Sequence, residues 1–432
     1  MPLKLLDSNV FKFSKTRRPA ELSLSRYFPA GTYYFYGYPS GDASGFLNKV
    51  PPAVEELVAA RPLVCAGDHV QVVSFANAAS PDTLQFISSQ PGLPMLPEER
   101  RTVLSAAIRA NITGAARNRL VKQDLKQLVP AGSLVMAQPF LDEDMGHLYQ
   151  IPPQLTNWLN DKKNMESFIP AALLAQRYAA FESGQTFSKD RRPWTLPCVV
   201  KVSSSSAGDG VYLCKDNGVL QAVRSALKDA TGTVIVERYI EAQANYGIQF
   251  GIPQNPALPI DIIGVNEQLT TPEGEFIGGV IDTANDYKEL ETVKQQLLSH
   301  ILPEVRKMGW YGVGCVDVLV SPIGQPFIID CNFRMTGMTA YLMLAANKRI
   351  SGSMMSFSGE YKGSLAKLQE TIGHISRQDR TEIPMHIITL TEQDGACRFN
   401  AAISFRQSAD LSDSASRLLQ AGVASKALEL FA

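Results

Sequence analysis

One segment constrains this chain more than any other. Residues Gly314–Gly337 read GCVDVLVSPIGQPFIIDCNFRMTG. Val316–Val320 and Phe327–Asp330 are apolar and rich in β-formers, and Ser321–Pro326 between them carries proline and glycine, so the pattern predicts a β-hairpin. A turn symmetric about Ile323-Gly324 sets Val320 opposite Phe327 and Asp317 opposite Asp330. Opposed residues on one face have Cβ atoms about 4.5–5.5 Å apart, so two carboxylates meet on one side of the sheet. Asn332 lies two residues on and points the same way, and Arg334 follows if the chain stays extended. Val316, Val318, Val320 and Ile329 are assigned to the opposite face. Leu319 and Ile328 are assigned to the Asp face, so both faces read as buried. Opposed like charges are destabilising, and a buried unpaired carboxylate is costly. A divalent cation offsets both. Mg²⁺ takes hard oxygen ligands and commonly shares carboxylates with phosphates, which makes Asp317, Asp330 and Asn332 a candidate metal set. A solvated polar face is the alternative reading of the same residues.

The chain around this hairpin is long enough for several cores. It has 432 residues, enough for about three domains of roughly 150 residues each. Apolar residues are 45% and charged residues 19%, a globular balance that excludes wholesale disorder. Lys plus Arg is 41 against 42 Asp plus Glu, so the footprint of a dedicated nucleic-acid binder is missing. No apolar run reaches the length of a membrane span. The N-terminal stretch MPLKLLDSNVFKFSKTRR has charges where an export signal needs an apolar core, so none is expected. The six cysteines form no CxxC pair, and the five histidines form no HxH or HExxH grouping. A disulfide framework and a zinc site are therefore not expected, and a reduced, cytoplasmic protein is.

Three regions follow from the patterning. Residues 1–150 read as an N-terminal α/β domain. Thr32–Gly37 and Gln71–Phe75 are strand-like, and Pro97 to about Leu128 is helical, with Val103, Leu104, Ala107 and Ile108 in step. The stretch Gly37–Gly41 reads as a turn, and Lys15, Arg17 and Arg18 as a solvated face. Residues 151–350 carry the strongest signals. Leu196–Val202 and Val211–Cys214 read as strands joined by the loop SSSSAGDG, Ser203–Gly210. Gly218–Asp229 reads as a helix, Thr233–Val236 as a strand, and Leu290–Met308 as a long helix ended by Gly309 and kinked at Pro303. Residues 351–432 read as a small C-terminal α+β domain. A helix is expected near Ser364–Ile372, with strands near Met385–Leu390 and Ala401–Phe405.

By itself the Ser/Gly loop reads as a flexible connection; its small residues also allow backbone N–H groups to approach a polyphosphate closely. Lys201, at the end of the strand before it, adds a cation. The chain has neither a GxxxxGK[ST] loop nor a GxGxxG fingerprint. Upstream, Asn160-Asp161-Lys162-Lys163 opens a helical turn with Asn160 or Asp161 as its cap.

The order of these elements over about residues 155–345 resembles the ATP-grasp superfamily of carboxylate–amine ligases. Asp161-Lys162 resembles the early pair whose lysine binds nucleotide phosphate. Val199-Val200-Lys201 with its loop resembles the second lysine and the phosphate-covering loop, which would include Ser205, Ser206, Gly208 and Gly210. Val234–Ile240 (VIVERYI) resembles the strand and hinge that hold adenine, with Glu237 accepting from the amino group and Tyr239 and Ile240 alongside. Gln243 or Asn245 would hold the ribose. Asp317, Asp330 and Asn332 fall on the metal positions, and Arg334 resembles an arginine that contacts phosphate or a substrate carboxylate. Two departures stand out. Asp330 replaces the usual Glu, and Cys315 stands where some ligases have an arginine. A fainter resemblance is to ATP-grasp ligases of peptide natural-product pathways.

The resemblance implies an α/β (α+β) ATP-grasp core and two Mg²⁺ ions with ATP. It implies a reaction in which a carboxylate attacks the γ-phosphate and an amine then displaces phosphate from the acyl phosphate. Arg334 and Lys201 would be catalytic, stabilising charge on the transferred group. Small amino acid or peptide substrates, no nucleic-acid or membrane partner, and a homodimer are expected. A kinase on the same scaffold and a non-catalytic nucleotide-binding module are the competing readings. Asn266-Glu267-Gln268 reads either as lining the acceptor pocket or as a surface turn.

Overall fold

A computed structural model describes residues 21–37, 52–105, 114–204, 210–272, 274–350, 352–378 and 385–432. Ser205, Ser206 and Gly208, the Lys15/Arg17/Arg18 cluster and most of the Gly37–Gly41 stretch lie outside the described residues.

The N-terminal part builds a parallel sheet from β1 (Tyr33–Phe35), β2 (Gln71–Phe75), β3 (Arg101–Leu104) and β4 (Leu134–Met136), in the order β3-β2-β1-β4. The helix expected from Pro97 is corrected here. Val103 and Leu104 lie in β3, paired with Ser74 and Phe75 of β2, a helix spans Gly114–Leu128, and Ala107 and Ile108 lie outside the described residues. Pairing along a whole strand outweighs a short stretch of helical spacing. The helix itself buries Arg117, Val121 and Leu125, an i, i+4 stripe facing the sheet.

A second, antiparallel sheet contains β5 (Arg177–Phe181), β6 (Cys198–Val202), β7 (Val211–Cys214) and β8 (Val234–Arg238), in the order β5-β8-β6-β7. The expected strands on either side of the Ser/Gly loop form the β6–β7 hairpin, with Lys201 opposite Val211. The helix Asn217–Ala226 covers this sheet with Leu220 and Val223, and Asp216 caps it by accepting from the Val219 N–H at 2.9 Å.

The third sheet has nine strands: β9 (Ala244–Ile252), β10 (Asp261–Thr270), β11 (Phe276–Ile281), β12 (Gly312–Val320), β13 (Pro326–Asn332), β14 (Ser353–Lys362), β15 (Met385–Gln393), β16 (Ala396–Phe405) and β17 (Val423–Ala424). Its order is β13-β12-β9-β10-β11-β14-β16-β15, with β17 on β14. The C-terminal strands thus extend the same sheet through the β11–β14 pairing. Gly278 permits that junction, because a Cβ there would lie 2.2 Å from the Ser356 carbonyl oxygen.

The expected long helix before β12 is a run of α-helix (Glu291–Gln296), one π-turn (Leu297–Ile301) and α-helix (Leu302–Lys307), with Gly309 beyond it at φ +93°. Pro303 supplies no N–H to the turn before it, which accounts for the wide turn at that place. Its apolar stripe, Val293, Leu297, Ile301, Leu302 and Val305, packs on Ile248, Phe250 and Val316 of the sheet. Among the described residues, no helix is long and apolar enough to cross a membrane.

Candidate active site

The hairpin of β12 and β13 brings the two aspartates together by a different route from the symmetric one. The turn is a three-residue loop, Pro322-Ile323-Gly324. Ser321 N–H donates to Gln325 O at 2.9 Å, Gly324 N–H donates to Ser321 O at 2.8 Å, and Gly324 sits at φ +77°. Such a loop needs a left-handed residue, and glycine supplies it. The loop displaces the register by one residue from the symmetric expectation. Val320 pairs with Pro326, Leu319 with Phe327 and Val318 with Ile328. A bulge then absorbs Ile329, and Asp317 faces Asp330 as expected. The face assignment of the two isoleucines is corrected by the same bulge. Ile328 packs in the core with Val316, Val318 and Val320, whereas Ile329 lines the cavity on the Asp side.

That cavity has a volume of about 700 Å³. Lys162, Lys201, Asn245, Asp317, Asp330, Asn332 and Arg334 all line it. The two lysines are only 5% and 7% exposed, so each needs a partner. Lys162 Nζ lies 3.1 Å from Asp330 Oδ2. Its place is set by Asp161, which accepts from the Lys163 N–H at 3.1 Å, and by its own N–H donating to Ser203 O at 3.0 Å. Lys201 Nζ lies 2.7 Å from Glu237 Oε2 and donates to Ile329 O at 3.3 Å. Glu237 also faces Arg177 at 3.8 Å. Asn160, the other candidate cap, instead ends the preceding helix Pro153–Asn160. Its Oδ1 accepts from the Phe333 N–H at 2.9 Å and from Arg334 at 3.3 Å. Arg334 also donates to Asn332 Oδ1 at 2.5 Å.

Asp317 is the most loaded group in the site. Gln268 Nε2 donates to Oδ1 at 2.6 Å, Cys315 Sγ donates to the same oxygen at 3.4 Å, and Asn332 Nδ2 donates to Oδ2 at 3.2 Å. Burial, with the charge of Asp330 second, still pushes its carboxyl up to about 6. Burial, with the charge of Asp317 second, pushes the Cys315 thiol up as well. A buried carboxylate held against a second one is the condition that a divalent cation relieves. The donor set of two carboxylates and an amide oxygen suits Mg²⁺ that completes its shell with phosphates and water. Among the described residues no group of three His, Cys, Asp or Glu could hold an ion without such help.

The remaining candidates divide. Glu237 reaches the cavity through Lys201. Tyr239 and Ile240 follow β8 but do not line the cavity, and Gly210 opens β7 at φ +69°. Asn245 lines the cavity with its Oδ1 buried and without a partner, whereas Gln243 is exposed and only its backbone is engaged, donating to Val320 O at 2.7 Å. Asn266 and Gln268 lie in β10 and line the cavity, so the surface-turn reading of that segment is excluded. Sequence reasoning did not find Gln268 as a partner of Asp317. The alternation of Asn266, Gln268 and Thr270 along one strand face was the available signal. Nor did it find Tyr36, Glu55, Arg61, Tyr341 and Asn400, which line the same cavity from the N-terminal part, the helix Thr339–Ala346 and β16.

Residues 178–332 match a family model described as L-aspartate–L-methionine ligase, ATP grasp. A D-alanine–D-alanine ligase of Trichlorobacter lovleyi is 28% identical over 180 residues, covering 41% of this chain and 56% of that protein. One from an Anaeromyxobacter species is 30% identical over 167 residues, covering 38% and 52%. The chain therefore spans about half the length of the curated relatives it matches. Among solved structures, an N5-carboxyaminoimidazole ribonucleotide synthetase in complex with ADP superposes with a TM-score of 0.58 at 10% identity, covering 92% of this chain and 98% of that one. An L-amino acid ligase of Bacillus licheniformis gives 0.50 at 13%, covering 91% and 97%. Over residues 178–332 the chain is similar in sequence to that ATP-grasp family, and across most of its length its fold is that of these solved structures.

Proposed function

We propose that this protein joins the carboxylate of one small molecule to the amine of another at the expense of ATP, the substrates being amino acids or short peptides. The observation that carries this reading is the meeting of two wall types around one cavity: the Asp317/Asp330/Asn332 face of the hairpin and the Lys162/Lys201 pair. Phosphoryl transfer asks a protein for positioning and charge neutralisation more than for a nucleophile, and this site offers that. Mg²⁺, when bound by Asp317, Asp330 and Asn332, supplies neutralisation of the phosphate oxygens. Lys162 and Lys201, now held by Asp330 and Glu237, would turn to those oxygens, and Arg334 would hold the transferred group. Asn245, with its open oxygen, suits a ribose hydroxyl. The carboxylate oxygen attacks the γ-phosphorus and ADP leaves. The amine nitrogen then attacks the acyl carbon, phosphate leaves, and the nitrogen gives up a proton.

ADP release is the test. It is expected to require Mg²⁺ and an amino acid together with ATP. Asp330→Asn keeps size and polarity but loses the charge, so ADP formation should fall below detection while the circular dichroism spectrum stays that of the parent. Full turnover in that variant would remove Asp330 from the reaction.

A further inference from the structure

The cavity has a second wall that the nucleotide and metal do not account for. It is formed by Tyr36, Arg61, Tyr341, Ser358 and Asn400, from segments far apart in the sequence. Arg61 begins a short helical turn, Arg61–Val64, directly after the helix Pro52–Ala60. Its Nε donates to Asn400 Oδ1 at 2.9 Å. Asn400 is itself fixed. Its Oδ1 also accepts from Thr389 at 3.3 Å, and its Nδ2 donates to Ser358 Oγ at 2.9 Å. The guanidinium carbon stands 5.8 Å from the centroid of the Tyr36 ring, a cation–π distance.

What this guanidinium lacks is an anion. Arg26, Arg117 and Arg177 each meet a carboxylate within 3.0 Å. Arg61 is half-buried, yet among the described residues no carboxylate comes within 4.0 Å of it. A second observation points the same way. The Tyr341 hydroxyl is buried, has no hydrogen-bond partner and belongs to a side chain lining the same wall. The helix that carries it packs on the Arg61–Val64 turn. A fixed cation and a spare hydroxyl beside a cavity are the two things a carboxylate needs.

The reaction decides which carboxylate. The donor's is consumed at the phosphate end. An amine-bearing acceptor that is an α-amino acid keeps its own, and that charge is left to be held elsewhere. Resting on the ligase reading, we propose that Arg61 anchors the unreacted carboxylate of the acceptor, so the acceptor is a free α-amino acid or a peptide with a free C-terminus. No bond forms or breaks at Arg61. Asn400 is a positioning residue for it.

The test compares acids with amides on the full chain. ADP release is measured with ATP, Mg²⁺ and every pairing of the twenty amino acids as donor and acceptor. Each active acceptor is then compared with its α-carboxamide. The expected result is a KM for the acid well below that for the amide. Arg61→Ala should raise the KM for the acid about 10–100-fold, the loss of a charge-assisted hydrogen bond, and leave the amide and ATP values in place. Arg61→Lys keeps the charge and most of the packing, and should retain part of the preference. An Arg61→Ala enzyme with unchanged acid preference, or one in which acid and amide suffer alike, overturns the anchor and leaves the ligase reading standing. If Arg61→Ala does not fold, an unchanged preference in Arg61→Lys overturns it. A wild-type chain that releases no ADP with any acceptor overturns the ligase reading, and the anchor with it.

Discussion

Lys201 is 7% exposed and holds Glu237 at 2.7 Å on one side and the Ile329 carbonyl at 3.3 Å on the other. A lysine so enclosed is held by its partners, and a phosphate arriving in the cavity competes for it. Lys201→Ala should therefore raise the KM for ATP about 10–100-fold, the scale of a hydrogen bond to a charged group. Steady-state kinetics at saturating Mg²⁺ checks this, and an unchanged value would take Lys201 out of the nucleotide end. The Cys315 thiol gives Asp317 a weak neutral donor at 3.4 Å. Gln268 and Asn332 supply the stronger ones. Arg334 remains the guanidinium at that end of the cavity.

At the scale of elements, the hairpin carries the account. Its bulge at Ile329 converts a three-residue turn, which alone would set the strand one residue out of step, into a register with Asp317 opposite Asp330. Inserting one alanine between Ile329 and Asp330 should carry Asp330 and Asn332 one residue out of step with Asp317. ADP release should then vanish while the strand content by circular dichroism persists. Retained turnover would mean that the bulge does not set the site. The helix Pro52–Ala60 offers a pH test. Glu55 and Glu56 are buried beside Arg117, at 2.6 and 3.7 Å. Burial pushes both carboxyls above their ordinary range. The folded state then binds these protons more tightly than the unfolded chain, so stability is full at low pH and falls as pH rises through the raised values. Glu56→Gln removes one such group. Its melting temperature relative to wild type should shift in the variant's favour between pH 4 and pH 7, and a shift the other way would contradict the burial argument.

The same elements show why some of this was legible in sequence. β12, β13 and the β6–β7 hairpin are short apolar runs bounded by turn residues, and their charged members stand out against that background. The opposition of Asp317 and Asp330 was legible, but the path to it was not, because a bulge leaves no mark in the pattern of hydrophobicity. β3 was read as helix because four residues of RTVL carry too little periodicity to separate the two states. Lys162 was legible only beside Asp161 and the later loop.

On the scale of the molecule, two sheets and the helix Pro52–Ala60 line one cavity, and the least legible residues are those whose neighbours come from elsewhere in the chain. Arg61, Tyr341 and Asn400 lie in unrelated stretches, and nothing local marks any of them as facing a ligand. They meet because β14 and β16 extend the sheet that carries the hairpin, while the N-terminal helix packs across β15 and β16. The nearly neutral chain, 41 basic against 42 acidic residues, leaves charge selection to the cavity rather than to the field of the whole protein. This arrangement makes one claim above the rest: the carboxylate is activated as an acyl phosphate before the amine arrives. The direct measurement is trapping with hydroxylamine, with ATP, Mg²⁺ and one amino acid present and no acceptor. The account predicts ADP and the amino acid hydroxamate in equal amounts, identified by mass. A stable phosphorylated product, or ADP with no hydroxamate for any amino acid, would contradict it.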